Sequence, residues 1–271
     1  MAAAVQLVDA NKLDRLSVAR RALAEASSVA GVPLARGDGR ARQAVLPTGI
    51  APLDEALGGG LPRGRIVEVV GARSSGRLSL TLSLLSAALR SGEPVALIDA
   101  ADALDPRAFH PDDRSRVLWI RPPDALAAMK CADLLLDAGG FALVAIYLVG
   151  VGTAGRRDHA RERQHAQRER DPAHTTSESV RVTGRQGIGS AAWTRIAQRA
   201  ERSKCGILVA LDPRSAHAPG AFAYASLSVS HHRALWRGRK LLETVECRVD
   251  VTRSKLGGAV GVSTDVRFHT G

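Results

Sequence analysis

The residues best suited to chemistry in this chain are Gly71-Ala-Arg-Ser74-Ser75-Gly76-Arg77-Leu78-Ser79. They follow an apolar run, Ile66-Val67-Glu68-Val69-Val70, and open a leucine-rich helical pattern. A strand, a glycine-bounded loop and a helix N-terminus in that order turn backbone N–H groups toward an anion, which is how phosphates are cradled. The pattern G-x-x-x-x-G-K-[ST] adds a lysine for the β/γ-phosphates and a hydroxyl for Mg²⁺. Here Arg77 stands at the lysine position and Leu78 at the hydroxyl position. Arginine keeps the charge but replaces a compact ammonium with a planar fork. Leucine has nothing to offer a hard cation. Ser79 comes one residue late, about 100° further round the helix.

Those residues need a sheet to carry them, and the pattern of the chain supplies one. Between Leu46 and Arg65 a short helix (Leu53 to Leu57) sits among glycine turns and delivers the chain into strand 66–70. The helix opened at Leu78 runs to about Arg90 with Leu78, Leu82, Leu85 and Leu89 on one stripe, and Ser91-Gly92-Glu-Pro stops it. Val95–Ile98, ending at Asp99, and Val117–Ile120 read as buried strands; Asp124 caps a helix over 124–138 that ends at Gly139-Gly140. Phe141 to Val149 is a continuous apolar run, the mark of a strand covered on both faces. A helix over 191–203 turns Trp193, Ile196, Ala197 and Ala200 inward and leaves Arg195, Arg199 and Arg202 as a basic stripe; strand 206–211 follows. Helices alternating with fully apolar strands predict an α/β fold, a mostly parallel sheet flanked by helices with right-handed crossovers. Residues 222–230, 232–236, 241–252 and 260–268 alternate with period two, which predicts a C-terminal antiparallel extension of that sheet.

Composition narrows the function classes. The 271 residues suit one α/β domain with extensions, and no apolar run approaches the ~20 residues of a membrane span. The start, Met1-Ala-Ala-Ala-Val-Gln, lacks the features of a secretory leader. Cys131, Cys205 and Cys247 are odd in number and widely spaced, as expected of reduced thiols in a cytoplasmic protein. A net charge of +11, from 38 basic and 27 acidic residues, favours an anionic partner, nucleic acid or an acidic protein surface.

Two segments stand outside the core pattern. Residues 9–26 read as an amphipathic helix with Leu13, Leu16 and Leu23 on one face, so residues 1–30 form an interaction element and 31–45 a polar linker to a core at 46–271. Residues 154–187 hold almost no large apolar groups but carry Arg156, Arg157, Arg161, Arg163, Arg168, Arg170, Arg181 and Arg185. Such a stretch cannot bury enough surface to offset its ordering entropy, so a disordered basic loop is expected there. It reads equally as an electrostatic hand for phosphate backbones or as a solvated insertion. His159, His165 and His174 within it lack the companion residues of a metal site.

In this order the motifs resemble the RecA recombinase family. TGIAPLDEALGGGLPRGRIVEVVGARSSGRLSLTL (48–82) is similar to that family's phosphate-loop segment, IDAADALDP (98–106) to its IDAEHALDP, FALVAIYLVG (141–150) to its Walker B strand and VDVTRSKLG (249–257) to its strand ending VKNK. Within the family the chain looks most like ImuA, the short RecA-like member of bacterial damage-induced mutagenesis cassettes. The resemblance implies what is missing. The Walker B acid is replaced by Tyr147, the water-activating glutamate by Ala101 and the adenine-stacking tyrosine by Ala108, next to Phe109. Asp99 and Asp102 are the nearby acids that could stand in as a base. Arg253 and Lys255 match two lysines that reach a neighbouring subunit's nucleotide in the family's filaments, which makes them candidates for a subunit interface together with Leu13, Leu16 and Leu23. The family's DNA-touching loops fall near 151–190 and after 211, so the loop arginines and the Arg195, Arg199, Arg202 stripe are DNA-binding candidates.

With lysine, magnesium ligand, Walker B acid and glutamate all replaced, hydrolysis on this fold lacks its chemical parts. The expectation is a catalytically degenerate RecA-fold adaptor of translesion mutagenesis in the SOS response, with no required cofactor beyond weak ATP or phosphate binding. Its implied partners are an ImuB-like polymerase partner, the error-prone C-family polymerase and DNA held non-specifically by its backbone, with self-association also open, in the cytoplasm at the nucleoid. The alternatives are a divergent DNA-dependent ATPase of the recombinase type and a SulA-like cell-division regulator.

Overall fold

Short apolar runs between glycine turns suit strands of a sheet buried on both faces, where each backbone group finds a partner on a neighbouring strand, and the computed structural model shows one. It describes residues 8–9, 45–151, 187–237, 241–255 and 260–269. In chain order the elements are β1 (Val8–Asp9), β2 (Val45–Leu46), α1 (Ala51–Ala56), β3 (Leu61–Pro62), β4 (Ile66–Gly71), α2 (Arg77–Leu89), β5 (Val95–Asp99), β6 (Val117–Arg121), α3 (Ala125–Ala138), β7 (Leu143–Tyr147), α4 (Ser190–Ser203), β8 (Gly206–Leu211), β9 (Ala223–Arg237), β10 (Leu241–Ser254) and β11 (Ser263–His269). Nine strands form one sheet in the order β1-β6-β5-β7-β8-β4-β9-β10-β11, and β2 pairs with β3 apart from it.

From β1 to β9 every neighbouring pair is parallel; β9 with β10 and β10 with β11 are antiparallel. The expected antiparallel extension therefore starts one strand later than its alternating sequence suggested, because β9 enters the sheet parallel to β4. The stretches 222–230 and 232–236 are one strand rather than two, with a register shift against β10 that leaves His232 as the extra residue. The long apolar run 141–149 contributes only Leu143–Tyr147 to β7, and β11 begins at Ser263 rather than 260. At the other end, Asp9 belongs to β1, where a helix over 9–26 was expected to start; residues 10–44 lie outside the described residues.

The sheet divides the core into two layers. Helix α2 covers one face with Leu80, Leu84, Leu85 and Leu89 fully buried, while Leu78 and Leu82 are only partly covered, so the buried stripe is rotated from the expected one. Helices α3 and α4 cover the other, and Ala125, Ala128, Ala132 and Leu135 join Trp193, Ile196 and Ala200 in its core. Each large buried side chain there contributes about 1.5–3 kcal/mol. Asp124 accepts from the Ala127 N–H at 2.7 Å and fixes where α3 starts. Of the cysteines, Cys205 and Cys247 are buried and all three are free thiols. Among the described residues no helix is long and apolar enough to cross a membrane.

Trp193 is 1% exposed and anchors α4, whereas Leu126 on α3 is 49% exposed. Trp193→Ala is expected to lower unfolding free energy by about 3–5 kcal/mol, and Leu126→Ala to leave it within about 0.5 kcal/mol. Urea unfolding followed by circular dichroism measures both.

Candidate phosphate site

Ligand sites of open parallel sheets lie beyond the carboxyl ends of the strands. Here those ends bring together Asp99 of β5, Tyr147 of β7, Leu211 of β8 and Gly71 of β4. The register places Asp99 opposite Tyr147, Tyr147 opposite Ala210, and Val70 opposite Leu211. Gly71 through Gly76 loop out above this edge and hand the chain to α2.

Two glycines are required by this geometry. A Cβ on Gly71 would lie 2.3 Å from the Ser75 Oγ and 2.7 Å from the Val229 carbonyl. Gly76 has φ +92° and a Cβ there would meet the Cys247 Sγ at 2.0 Å, so the loop is seated directly on β10. Cys247 is fully buried, and burial pushes its thiol above the ordinary range, which keeps it protonated and inert. Ala72, Arg73 and Ser74 form the exposed outer arc, Ser74 with φ +59°. Ser75 is buried, and its Oγ has no hydrogen-bond partner among the described residues. Helix α2 begins without a side-chain cap and without an acid in its first turn, so its leading N–H groups keep the capacity to face an anion.

Arg77 does not point out of the loop. Its side chain is 4% exposed, and Nη1 donates to the Gly71 carbonyl, to the Leu211 carbonyl at 2.6 Å and to Asp212 Oδ1 at 3.2 Å. The guanidinium carbon also lies 5.8 Å from the centre of the Tyr147 ring, within range of a cation–π contact. The second oxygen of Asp212 accepts from the Gly150 N–H at 2.6 Å. The cation is thus committed to its own chain. At about 1.5–3 kcal/mol for each hydrogen bond to a charged group, drawing it outward is a cost any incoming anion would have to offset.

The remaining positions are apolar or already engaged. Leu78 and Ala101 both pack partly against the core layer that α2 covers. Tyr147 is 5% exposed; burial raises its phenol above the ordinary value and outweighs the opposing pull of Arg77. Asp99 accepts from the Ala103 N–H with both oxygens (3.1 and 2.9 Å) and from the Leu104 N–H at 3.0 Å, closing the turn after β5. Asp102 accepts from Arg121 at 2.8 Å. Ala108 is exposed, and the adjacent Phe109 is buried in the core. A magnesium–nucleotide complex does not fit this set, since a leucine, a tyrosine and a buried guanidinium stand where ligands and counter-charge are needed. An anion alone meets groups of the right kind, the loop and helix N–H donors.

The other candidates sit elsewhere. Arg253 donates to Glu68 at 2.9 Å, an acid that also accepts from Ser226, and Lys255 donates to the Ala221 carbonyl at 2.6 Å. Arg195 and Arg199 both reach Asp133 (3.2 and 2.9 Å), and Arg199 also reaches Asp137 at 2.7 Å, so two arginines of the basic stripe bind α4 to α3. Arg202 stays exposed beside a shallow pocket with Leu136, Asp137 and Ser203. Leu13, Leu16, Leu23 and all the loop arginines from Arg156 to Arg185 lie outside the described residues. The residues that sequence reasoning missed are Asp212, Glu68 and Cys247. The first two had a signal, a single acid inside or ending an apolar strand; Cys247 had none.

The chain matches the profile of the RecA N-terminal domain family over residues 16–256. It is 46% identical over 112 residues to the protein RecA of Clavibacter michiganensis, which covers 40% of this chain and 31% of that protein. It is 44% identical over 108 residues to the RecA of Methylococcus capsulatus, covering 38% and 30%. The chain thus spans about a third of the length of the curated relatives it matches. In three dimensions it is similar to the crystal structure of the RadB recombinase, with a TM-score of 0.56 and 18% identity over 82% of this chain and 96% of that one.

Because the Tyr147 phenol is raised above its ordinary value of 10.0 in the folded state, the unfolded chain loses this proton first. Its contribution to stability is therefore complete below pH 10 and is lost as pH rises through the folded value. Denaturation midpoints measured from pH 8 to 11 are expected to fall less steeply for Tyr147→Phe than for the parent chain.

Proposed function

The chain belongs to the RecA N-terminal domain family, and we propose that within it this protein is a catalytically degenerate adaptor rather than a nucleotide-driven recombinase. The observation that carries the reading is Arg77, whose guanidinium is held by Gly71, Leu211 and Asp212 instead of facing the mouth of the loop. Phosphoryl transfer on a P-loop fold needs a free cation at the β/γ-phosphates, a metal and a group that orients water. Arg77, Leu78, Tyr147 and Ala101 supply none of these. The cation–carbonyl bonds that Arg77 makes instead close the strand ends without a ligand. Any residual anion binding is weak, metal-independent and mediated by the loop N–H groups.

What the adaptor joins follows from its resemblance to ImuA. The finer reading is a role in damage-induced translesion synthesis, with an ImuB-like polymerase partner, the error-prone C-family polymerase and DNA as the joined components. The +11 net charge supports an anionic partner. The DNA contact rests on the basic segment 154–187 rather than on Arg195 and Arg199, whose charges are neutralised by Asp133 and Asp137.

Calorimetry with ATP and Mg²⁺, together with phosphate release in the presence of single-stranded DNA, tests the central claim. Neither metal-dependent heat nor turnover is expected, and Arg77→Lys is expected to bring back neither, since the metal ligand and the acids are still absent. Turnover by the parent chain would replace this reading with that of a divergent DNA-dependent ATPase. Deleting residues 1–30 is expected to weaken capture of the polymerase-like partner by at least about tenfold, the loss of a hot-spot anchor; unchanged affinity would remove that segment from the account.

A further inference from the structure

Strand β9 is fifteen residues long, but β4 accompanies it only as far as Val229, opposite Gly71. Beyond that point Ser230–Arg237 pairs with β10 on one side, and among the described residues no strand pairs with the other. The result is a two-stranded ribbon that continues past the phosphate loop with one open edge. His231, His232, Arg233 and Trp236 are exposed along it, Trp236 to 55%. The other two tryptophans, Trp119 and Trp193, are buried. Glu246, which faces Arg233 in register, is taken by Arg267 at 2.7 Å, and no ion pair reaches Arg233 among the described residues. From Ser230 to Lys240 the sequence, SHHRALWRGRK, holds four cations and no carboxylate.

We infer that this edge is a docking site for an extended, acidic segment of a partner protein, which adds to β9 as a further strand. An open strand edge presents N–H and C=O groups in alternation, and the ligand that satisfies both is another peptide backbone at strand spacing. Charge then selects among peptides. A second copy of this chain would bring the same cationic sequence against itself, and like charge opposes self-pairing as it does at charged edges. A segment carrying Asp or Glu meets Arg233, exposed on this edge. The extra residue at His232 bends the edge and leaves Arg233–Arg237 as the pairable run, roughly 16 Å at strand rise. Trp236 gives that run a large apolar anchor, the residue type that dominates binding energy at interfaces. A nucleic acid would find the charges but leave the strand donors and acceptors unmatched.

This inference deepens the adaptor reading by naming one of its surfaces, and rests on it only for the existence of a protein partner. Turnover assays judge that reading; the following experiment judges the ribbon. The full chain is mixed, at about 0.15 M salt where long-range charge is screened, with a fluorescein-labelled octapeptide of alternating Glu and Val. Parallel samples receive the same peptide N-methylated at alternate residues, or an oligothymidylate of matched length. The Glu/Val peptide is expected to bind, to shield Trp236 from iodide quenching, and to lose at least about tenfold in affinity with Arg233→Glu or Trp236→Ser, variants whose thermal unfolding should match the parent. Three results would overturn the inference. The N-methylated peptide could bind as tightly, making charge alone responsible; the oligonucleotide could bind while the peptide does not; or iodide could fail to quench Trp236 in the free chain, placing the chain's own residues on the edge.

Discussion

Parallel strands that end together leave a row of carbonyls with no further partner, and a buried carbonyl without a donor is costly. Arg77 supplies the donor here. One guanidinium nitrogen meets the carbonyls ending β4 and β8 and the carboxylate of Asp212, while the ring of Tyr147 flanks the same cation. Asp212 passes the constraint on by accepting from the Gly150 N–H, so the segments after β7 and β8 are tied to the phosphate loop through one side chain. The charge is tolerable in the interior because each of these acceptors faces it. Everything above the sheet edge depends on that arrangement.

The loop itself is held from the opposite side by the C-terminal strands. Gly76 rests on Cys247, with Phe268 of β11 close by, and Gly71 on the Val229 carbonyl, so the two glycines serve packing against β9, β10 and β11 as much as any ligand. The same strands anchor themselves to the central sheet by a second charged contact. Glu68, in the middle of β4 and nearly buried, accepts from Ser226 of β9 and Arg253 of β10. Removing either partner of such a contact would leave a charge with little solvent to receive it. The glycines of this loop are therefore required by packing alone, whatever the loop binds.

On the adaptor reading, this is how a nucleotide-site architecture becomes a scaffold. A ligand that closes strand ends is exchanged for a side chain that closes them permanently, and surfaces away from the site carry the function. The two basic surfaces differ in kind. Arg195 and Arg199 use their charge to lock α4 onto α3, whereas on the ribbon of β9 Trp236 is exposed and no ion pair reaches Arg233 among the described residues.

Much of this was legible in the chain alone. Strand 206–211 and the extents of α3 and α4 follow from local apolar runs, an Asp cap and glycine stops, which act over a few residues and need no distant partner. That Leu78, Tyr147 and Ala101 stand at the strand ends and loop is a matter of residue type and order, so it is read without coordinates. Direction and partnership were not legible. Whether β9 joins β4 parallel or antiparallel depends on which strand lies beside it, and its alternating pattern is compatible with both. An arginine in a phosphate loop reads as a free cation until Leu211 and Asp212, more than 130 residues away, are placed within reach of it. The same holds for Arg195 and Arg199, whose stripe reads as spare charge until Asp133 of another helix meets it. Residue type determined which side chains this site holds; only tertiary contact decided where its charges are committed, because long side chains answer to whichever acceptors the fold brings near.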